Sequence, residues 1–305
     1  GSRPSPALLD YHRSVAAGGV GMTTVAYVAV TNGGRSFEHQ MWMRPEIVPG
    51  LRELTDAVHA EGAAAAVQLG HCGNMSDSKV SGERALAPSA RFTLFGLTLP
   101  RAMTGRDIEQ LIADFARAAA LAREAGFDAV ELHAGHGYLI SQFLCPATNR
   151  RRDRWGGSLD NRARLARQVV ARVLEAGEGQ LGVVVKLNLR DGFEGGMELP
   201  EAIEVARMLE AEGAHALVLS GGFVSRCPMY VMRGEVPLEE MVRGERALHR
   251  KLGLALFGRT VVKAYPFSEA YFLEDALQVR AAVQLPLVLV GGVTRLETMR
   301  RAVDE

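Results

Sequence analysis

The sequence predicts an α/β fold of the (β/α)8 TIM barrel kind, and two observations carry that expectation. A helical segment ending in Ala or Glu and then Gly, followed by a short apolar run, recurs along the chain. Polar residues gather just after those apolar runs. The unit reads SVAAGGVGMTTVAYVAV, AVHAEGAAAAVQLG, LAREAGFDAVELHAG, LEAGEGQLGVVVKLNL and LEAEGAHALVLSGG, while VRAAVQLPLVLVGGV enters its strand through proline. Glycine after the helix supplies the left-handed residue that turns the chain sharply into a strand. The runs are apolar along their whole length, as expected of strands covered on both faces. Alternation of helix and strand implies right-handed crossovers and a parallel sheet.

Strands are expected near residues 21–30, 63–69, 128–133, 182–189, 215–220 and 286–290. Helices at 104–125 and 159–176 carry apolar positions at a 3.6-residue period, and Ser158 and Asp160 fit the N-cap and first turn of the second. No GxGxxG follows the first strand, which disfavours a Rossmann domain and leaves the barrel. The chain opens on a helix (PALLDYHRSVAAG) and closes on one (TRLETMRRAVDE). An eight-stranded barrel has a strand before the first counted here and another after the last. Residues 1–305 are therefore expected to form a single barrel domain that lacks its first and last strands and is incomplete at both ends.

Of the 305 residues 48% are apolar, enough for one large core, and 35 Lys plus Arg balance 35 Asp plus Glu. That balance gives no reason to expect a nucleic-acid partner, and no apolar run approaches a membrane span. Three cysteines, Cys72, Cys145 and Cys227, form no CxxC pair, so neither a disulfide frame nor a cysteine metal cluster is expected, and a cytoplasmic location is. The sequence leaves open whether the protein forms a homo-oligomer.

Within VELHAGHGYLISQFLCPATNRRRDRWGGSLDNR, residues 130–162, an apolar run breaks into His133, His136 and Tyr138. Two imidazoles gripping a substrate oxygen beside a phenol acid is one reading, and hydrogen-bonded structural histidines another. Metal ligation is the least favoured, because no cysteine or carboxylate accompanies the histidines, and no metal site is expected. In GVVVKLNLRDG, alternation places Lys186, Asn188 and Arg190 on one face. A lysine under a barrel mouth needs an anion, either a bound cofactor or an internal partner such as Glu131. Gln68 closes AAAAVQLG with an amide that suits a heterocycle edge or a loop cap. Gly291 and Gly292 follow PLVLV and read either as a phosphate loop or as a tight turn. Arg150, Arg151, Arg152 and Arg154 read as a solvated loop surface, anchored by Trp155.

Taken in order, VQLGHCGN, ELHAGHGYLISQFLCPATNRRRDRWGGSLDNRARL, VVVKLNLRDGF and PLVLVGGV resemble the old yellow enzyme family. Its members are FMN-containing NAD(P)H:flavin oxidoreductases, among them ene-reductases and the barrel domain of bacterial dienoyl-CoA reductase. The match runs from about Pro4 to the end of the chain. The resemblance implies FMN across the barrel mouth, with Gln68 at the pyrimidine edge, Lys186 beside flavin N1 and O2, and Gly291 and Gly292 at the phosphate. It implies that His133 and His136 hold the carbonyl oxygen of an electrophilic small-molecule alkene. Tyr138 would then protonate the α carbon, with hydride from NAD(P)H reaching the β carbon through the flavin. Against the family pattern, the first strand and the phosphate-binding arginine of the last strand do not occur here. Tyr27 stands where many relatives carry a small residue. Two other readings compete: a flavin-free barrel scaffold or binding module, and a metal-dependent barrel hydrolase using His133 and His136.

Overall fold

The computed structural model of the protein describes residues 2–93, 98–245 and 248–305, with the backbone alone at 249, 250 and 259–261. In chain order the elements run α1 (Pro6–Ala17), β1 (Met22–Ala29), α2 (Val48–Ala60), β2 (Ala64–Gly70), α3 (Ser78–Ser81), β3 (Leu86–Ala87) and β4 (Arg101–Ala102). There follow α4 (Gly105–Glu124), β5 (Ala129–Ala134), α5 (Leu139–Leu144), α6 (Leu159–Gly177), β6 (Gly182–Asn188), α7 (Leu199–Ala211) and β7 (Ala216–Ser220). The last are α8 (Leu238–Gly244), α9 (Leu248–Val261), α10 (Leu273–Arg280), β8 (Leu287–Leu289) and α11 (Leu296–Asp304). Six strands pair in parallel in the order β1-β2-β5-β6-β7-β8. All six expected strands are present within two residues of their predicted limits. The small parallel pair β3-β4 was not foreseen, since two residues per strand leave no periodicity to read.

The helices form where their apolar spacing lets one face close over the sheet. Along α4, Ile108, Leu111, Ile112, Phe115, Ala119 and Ala122 are all buried, and Thr104 and Asp107 build a reciprocal capping box at its start. Asp107 also takes two hydrogen bonds from Arg101 at 2.7 and 3.0 Å, and those bonds hold its carboxyl well below the ordinary range. Ser158 caps α6 through the N–H of Asn161, as its position implied. One apolar core runs from Ala16 to Val283 between these helices and the sheet.

The arginine-rich loop departs from expectation at one residue. Arg150, Arg152 and Arg154 are exposed, but Arg151 folds inward and donates to the carbonyls of Pro88 and Met103. It thereby pins the segment around β3 and β4 to the loop. Trp155 is buried and anchors the loop's exit, with its carbonyl accepting from Asn149 at 2.8 Å.

Candidate active site

Parallel register brings together residues far apart in the sequence at the carboxyl rim of the sheet, where barrels carry their chemistry. Gln68 on β2 pairs with Glu131 on β5, His133 on β5 with Lys186 on β6, and Asn188 on β6 with Ser220 on β7. Glu131 is the shared acceptor: Gln68 donates to its Oε1, and Lys186 Nζ lies 3.0 Å from the same oxygen. Lys186 therefore has the internal partner considered from the sequence, yet its side chain stays partly open at the mouth (18% exposed).

After β5 the chain turns through His136, a non-glycine residue at φ 58°, and Gly137 at φ 77°. Glycine is required at 137, because a Cβ there would lie 2.4 Å from the Phe223 ring. Two anchors hold the left-handed His136. Its N–H donates to Asn188 Oδ1 at 3.0 Å, and its Nε2 meets Ser220 Oγ at 2.8 Å. Asn188 is itself fixed by donating to Asp191 Oδ1 and to the Gly222 carbonyl. Gln142 reaches back to the Gly137 carbonyl at 2.7 Å.

This turn places three rings in contact. Tyr138 stacks on His133 with centroids 4.2 Å apart, and His136 meets His133 edge-on at 5.1 Å. Burial, followed by the nearby Lys186 cation, pushes His136 down to about 4. Burial, His136 and then Lys186 push His133 well below its usual value. Both imidazoles are neutral at pH 7. The Gly135 N–H points at His133 Nδ1 (3.4 Å), which leaves Nε2 as the protonated donor. Burial raises the Tyr138 phenol to about 12, so it stays protonated across the neutral range.

Tyr27 completes the cluster, edge-on to Tyr138 at 5.1 Å. It falls where the β1–β2 register shifts between Val25 and Val28, an irregularity that re-aims a side chain. Its hydroxyl donates to the Gly34 carbonyl at 3.0 Å. A Cβ at Gly70 would sit 3.0 Å from the Tyr27 ring, so glycine there keeps room for both Tyr27 and His133.

Gly291 and Gly292 adopt φ of 131° and 69°, with the Tyr271 ring packed where their Cβ atoms would be. The turn is real, but the amides after it are engaged. Glu269 accepts from Thr294 N and Oγ1 and from Arg295 N, so this carboxylate already occupies the start of α11, which begins two residues later than expected. Among the described residues, no group of three or more His, Cys, Asp or Glu side chains is placed to hold a metal ion. For a flavin the donor set fits. A partly open cation and an amide sit side by side at the rim, and the glycine at 70 holds the wall back. What sequence reasoning missed is the support beneath the rings. Ser220 and Asn188 were visible as polar residues at strand ends, but only the register shows that both serve His136.

The sequence profile of the NADH:flavin oxidoreductase / NADH oxidase family matches residues 2–225. The chain belongs to that family. It is 42% identical over 299 residues to the 4,4'-dithiodibutanoate disulfide reductase of Rhodococcus erythropolis, covering 98% of this chain and 74% of that one. It is 38% identical over 243 residues to an NADPH dehydrogenase of Halalkalibacterium halodurans, with 79% and 70% covered. Among solved structures it resembles the old yellow enzyme homologue from Zymomonas mobilis at a TM-score of 0.75 and 25% identity, covering 99% of this chain and 77% of that one. Morphinone reductase in complex with tetrahydroNAD superposes at 0.64, again at 25% identity, with 94% and 84% covered. As a member of this family the protein is a TIM-barrel, FMN-dependent oxidoreductase that draws hydride from NAD(P)H. Among the described residues no helix is long and apolar enough to cross a membrane.

Proposed function

We propose that the protein reduces the activated C=C bond of an α,β-unsaturated carbonyl compound, with His133 and His136 holding the carbonyl oxygen and Tyr138 supplying the proton. The observation that carries this reading is the stack of Tyr138 on His133, with His136 edge-on, at the rim beside Lys186. Lys186 and Gln68 would hold the flavin's pyrimidine edge, and the turn at Gly291 and Gly292 would face its phosphate. When bound, FMN accepts hydride from NAD(P)H and delivers it onward.

The chain's own residues supply the rest. Neutral imidazole donors polarise the carbonyl without placing a cation next to Lys186. The His133–Tyr138 stack fixes the phenol over the substrate, and its raised pKa keeps the proton in place until a strongly basic carbon develops. A disulfide acceptor is a second reading, favoured by the 42% identity to a disulfide reductase over nearly the whole chain. There the phenol would donate a hydrogen bond to the departing thiolate, which is too weak a base to take its proton. One large core joins the six strands and the helices packed on them, and we propose that the described residues act as a single barrel-type domain. A cytoplasmic location is proposed on the three cysteines, all free and buried.

Rapid mixing of the FMN-loaded protein tests the assignment by separating the two half-reactions. Tyr138→Phe is expected to leave flavin reduction by NAD(P)H near wild type and to slow flavin reoxidation by a cyclic enone by about 10²–10⁴-fold. Equal slowing of both half-reactions would remove Tyr138 from the proposed role. The same reoxidation with 4,4'-dithiodibutanoate decides between the two acceptor classes.

A further inference from the structure

We propose that Arg91 and Arg226 form an anion subsite beside the reacting rings, taking a carboxylate or phosphate carried by one of the enzyme's two small-molecule substrates. The proposal rests on the assignment of His133, His136 and Tyr138 to the reacting end of the acceptor, and adds a distal anchor.

A cavity of about 460 Å³ lies between the β3–β4 segment and the loops that follow β6 and β7. That is the size of a small-molecule pocket. Among the described residues its wall contains Arg91 and Arg226 and no carboxylate, in a chain whose charges balance overall. Several arginines elsewhere sit against acids, among them Arg101 on Asp107, Arg162 on Glu201, Arg167 on Asp160 and Glu212, and Arg190 on Asp275 and Glu198. Arg226 instead lies over the Phe193 ring at 4.7 Å, and Arg91 donates to the Ala147 carbonyl at 3.3 Å. A guanidinium stacked on an aromatic face keeps its in-plane N–H fork for a carboxylate or phosphate.

The cavity adjoins the rings through shared residues. Gln142 lines it and holds the carbonyl of Gly137, the residue between His136 and Tyr138. Phe193 meets Phe223 edge-on at 5.3 Å, Phe223 pairs with His136, and Val224 N donates to the His136 carbonyl. Arg226 lies two residues further along that segment. Ala87, Pro88, Phe92 and Phe193 give the cavity an apolar wall beside the arginines. The chemistry that fits is an acceptor with a short apolar spacer ending in a carboxylate, or the phosphate of NADPH.

The test compares the FMN-loaded wild type with Arg91→Gln, Arg226→Gln and the double variant. Each is titrated with para-hydroxyphenylpropanoate and with its methyl ester, read from the flavin absorption, and flavin reduction is timed with NADPH and NADH. An acid-over-ester preference of about tenfold, lost in the double variant while the NADPH-to-NADH ratio stands, assigns the anion to the acceptor. A collapse of the nucleotide ratio with the acid preference unmoved assigns it to the cofactor phosphate. No acid preference in the wild type, together with an unmoved nucleotide ratio in the double variant, overturns the subsite. Para-cresol carries no anion and isolates the other assumption. If it binds wild type and His133→Ala alike, the histidine assignment falls, and the nucleotide arm still decides the subsite.

Discussion

Asn188 shows how one buried amide sets the site. Its Oδ1 accepts the His136 N–H while its two amide protons go to Asp191 and Gly222, and the residue is fully buried. Asn188→Asp keeps the acceptor and the size but loses both donations, and it sets a second carboxylate against Asp191, which burial already pushes up. The expected result is a loss of about 2–3 kcal/mol in chemical denaturation, with weakened binding of a phenol to the FMN-loaded protein. Unchanged phenol affinity would show that His136 holds its place without Asn188. From the sequence Asn188 was legible as an inward-facing residue of β6. Its partner was not, because 52 residues separate it from His136.

At the scale of elements, the turn from β5 into α5 carries the chemistry and is the part least tolerant of change. Gly137→Ala would drive a methyl group into Phe223 at a positive φ, and the Phe223 segment is paired with His136. We expect it to cost about 2–4 kcal/mol in stability and to weaken phenol binding as well. Thr104→Ala removes the cap of α4, outside the turn from β5 into α5. It should cost about 1 kcal/mol and leave phenol titration unchanged. A comparable loss of ligand binding in both variants would mean that global stability, and not the local turn, sets the site. The helices and long strands were legible because burial imposes their periods. The β3–β4 pair and the inward fold of Arg151 were not, since short loop segments take their shape from whatever they pack against.

Across the whole molecule, three histidines at the rim, His71 and His133 buried and His136 half-buried, couple the site to folding. His71 and His136 are pushed down to about 4 by burial, and His133 further below its usual value. A histidine with a depressed folded pKa binds its proton mainly after unfolding. Its penalty is absent above about pH 6.5 and grows as pH falls towards the folded value. Denaturant midpoints should therefore drop steadily between pH 6.5 and 4, by an amount equivalent to about 2 kcal/mol each for His71 and His136 at pH 5, with His133 acting in the same direction. A flat profile over that window would mean that the imidazoles are charged and paired within the fold. Tyr138 titrates at about 12, so reoxidation of the flavin should show no loss from the phenol below about pH 10.

The sequence by itself determined the parallel α/β architecture, the places of six strands, and the run from His133 to Tyr138 at a strand's end. These are consequences of burial period, turn residues and local spacing, which are written along the chain. Only the tertiary structure decided which side chains meet. It gave Glu131 to both Gln68 and Lys186, gave Ser220 and Asn188 to His136, and filled the start of α11 with Glu269. The physical reason is register. This parallel sheet joins residues about 30 to 70 positions apart, and a slip of one residue would send the side chains of the slipped strand to the opposite face.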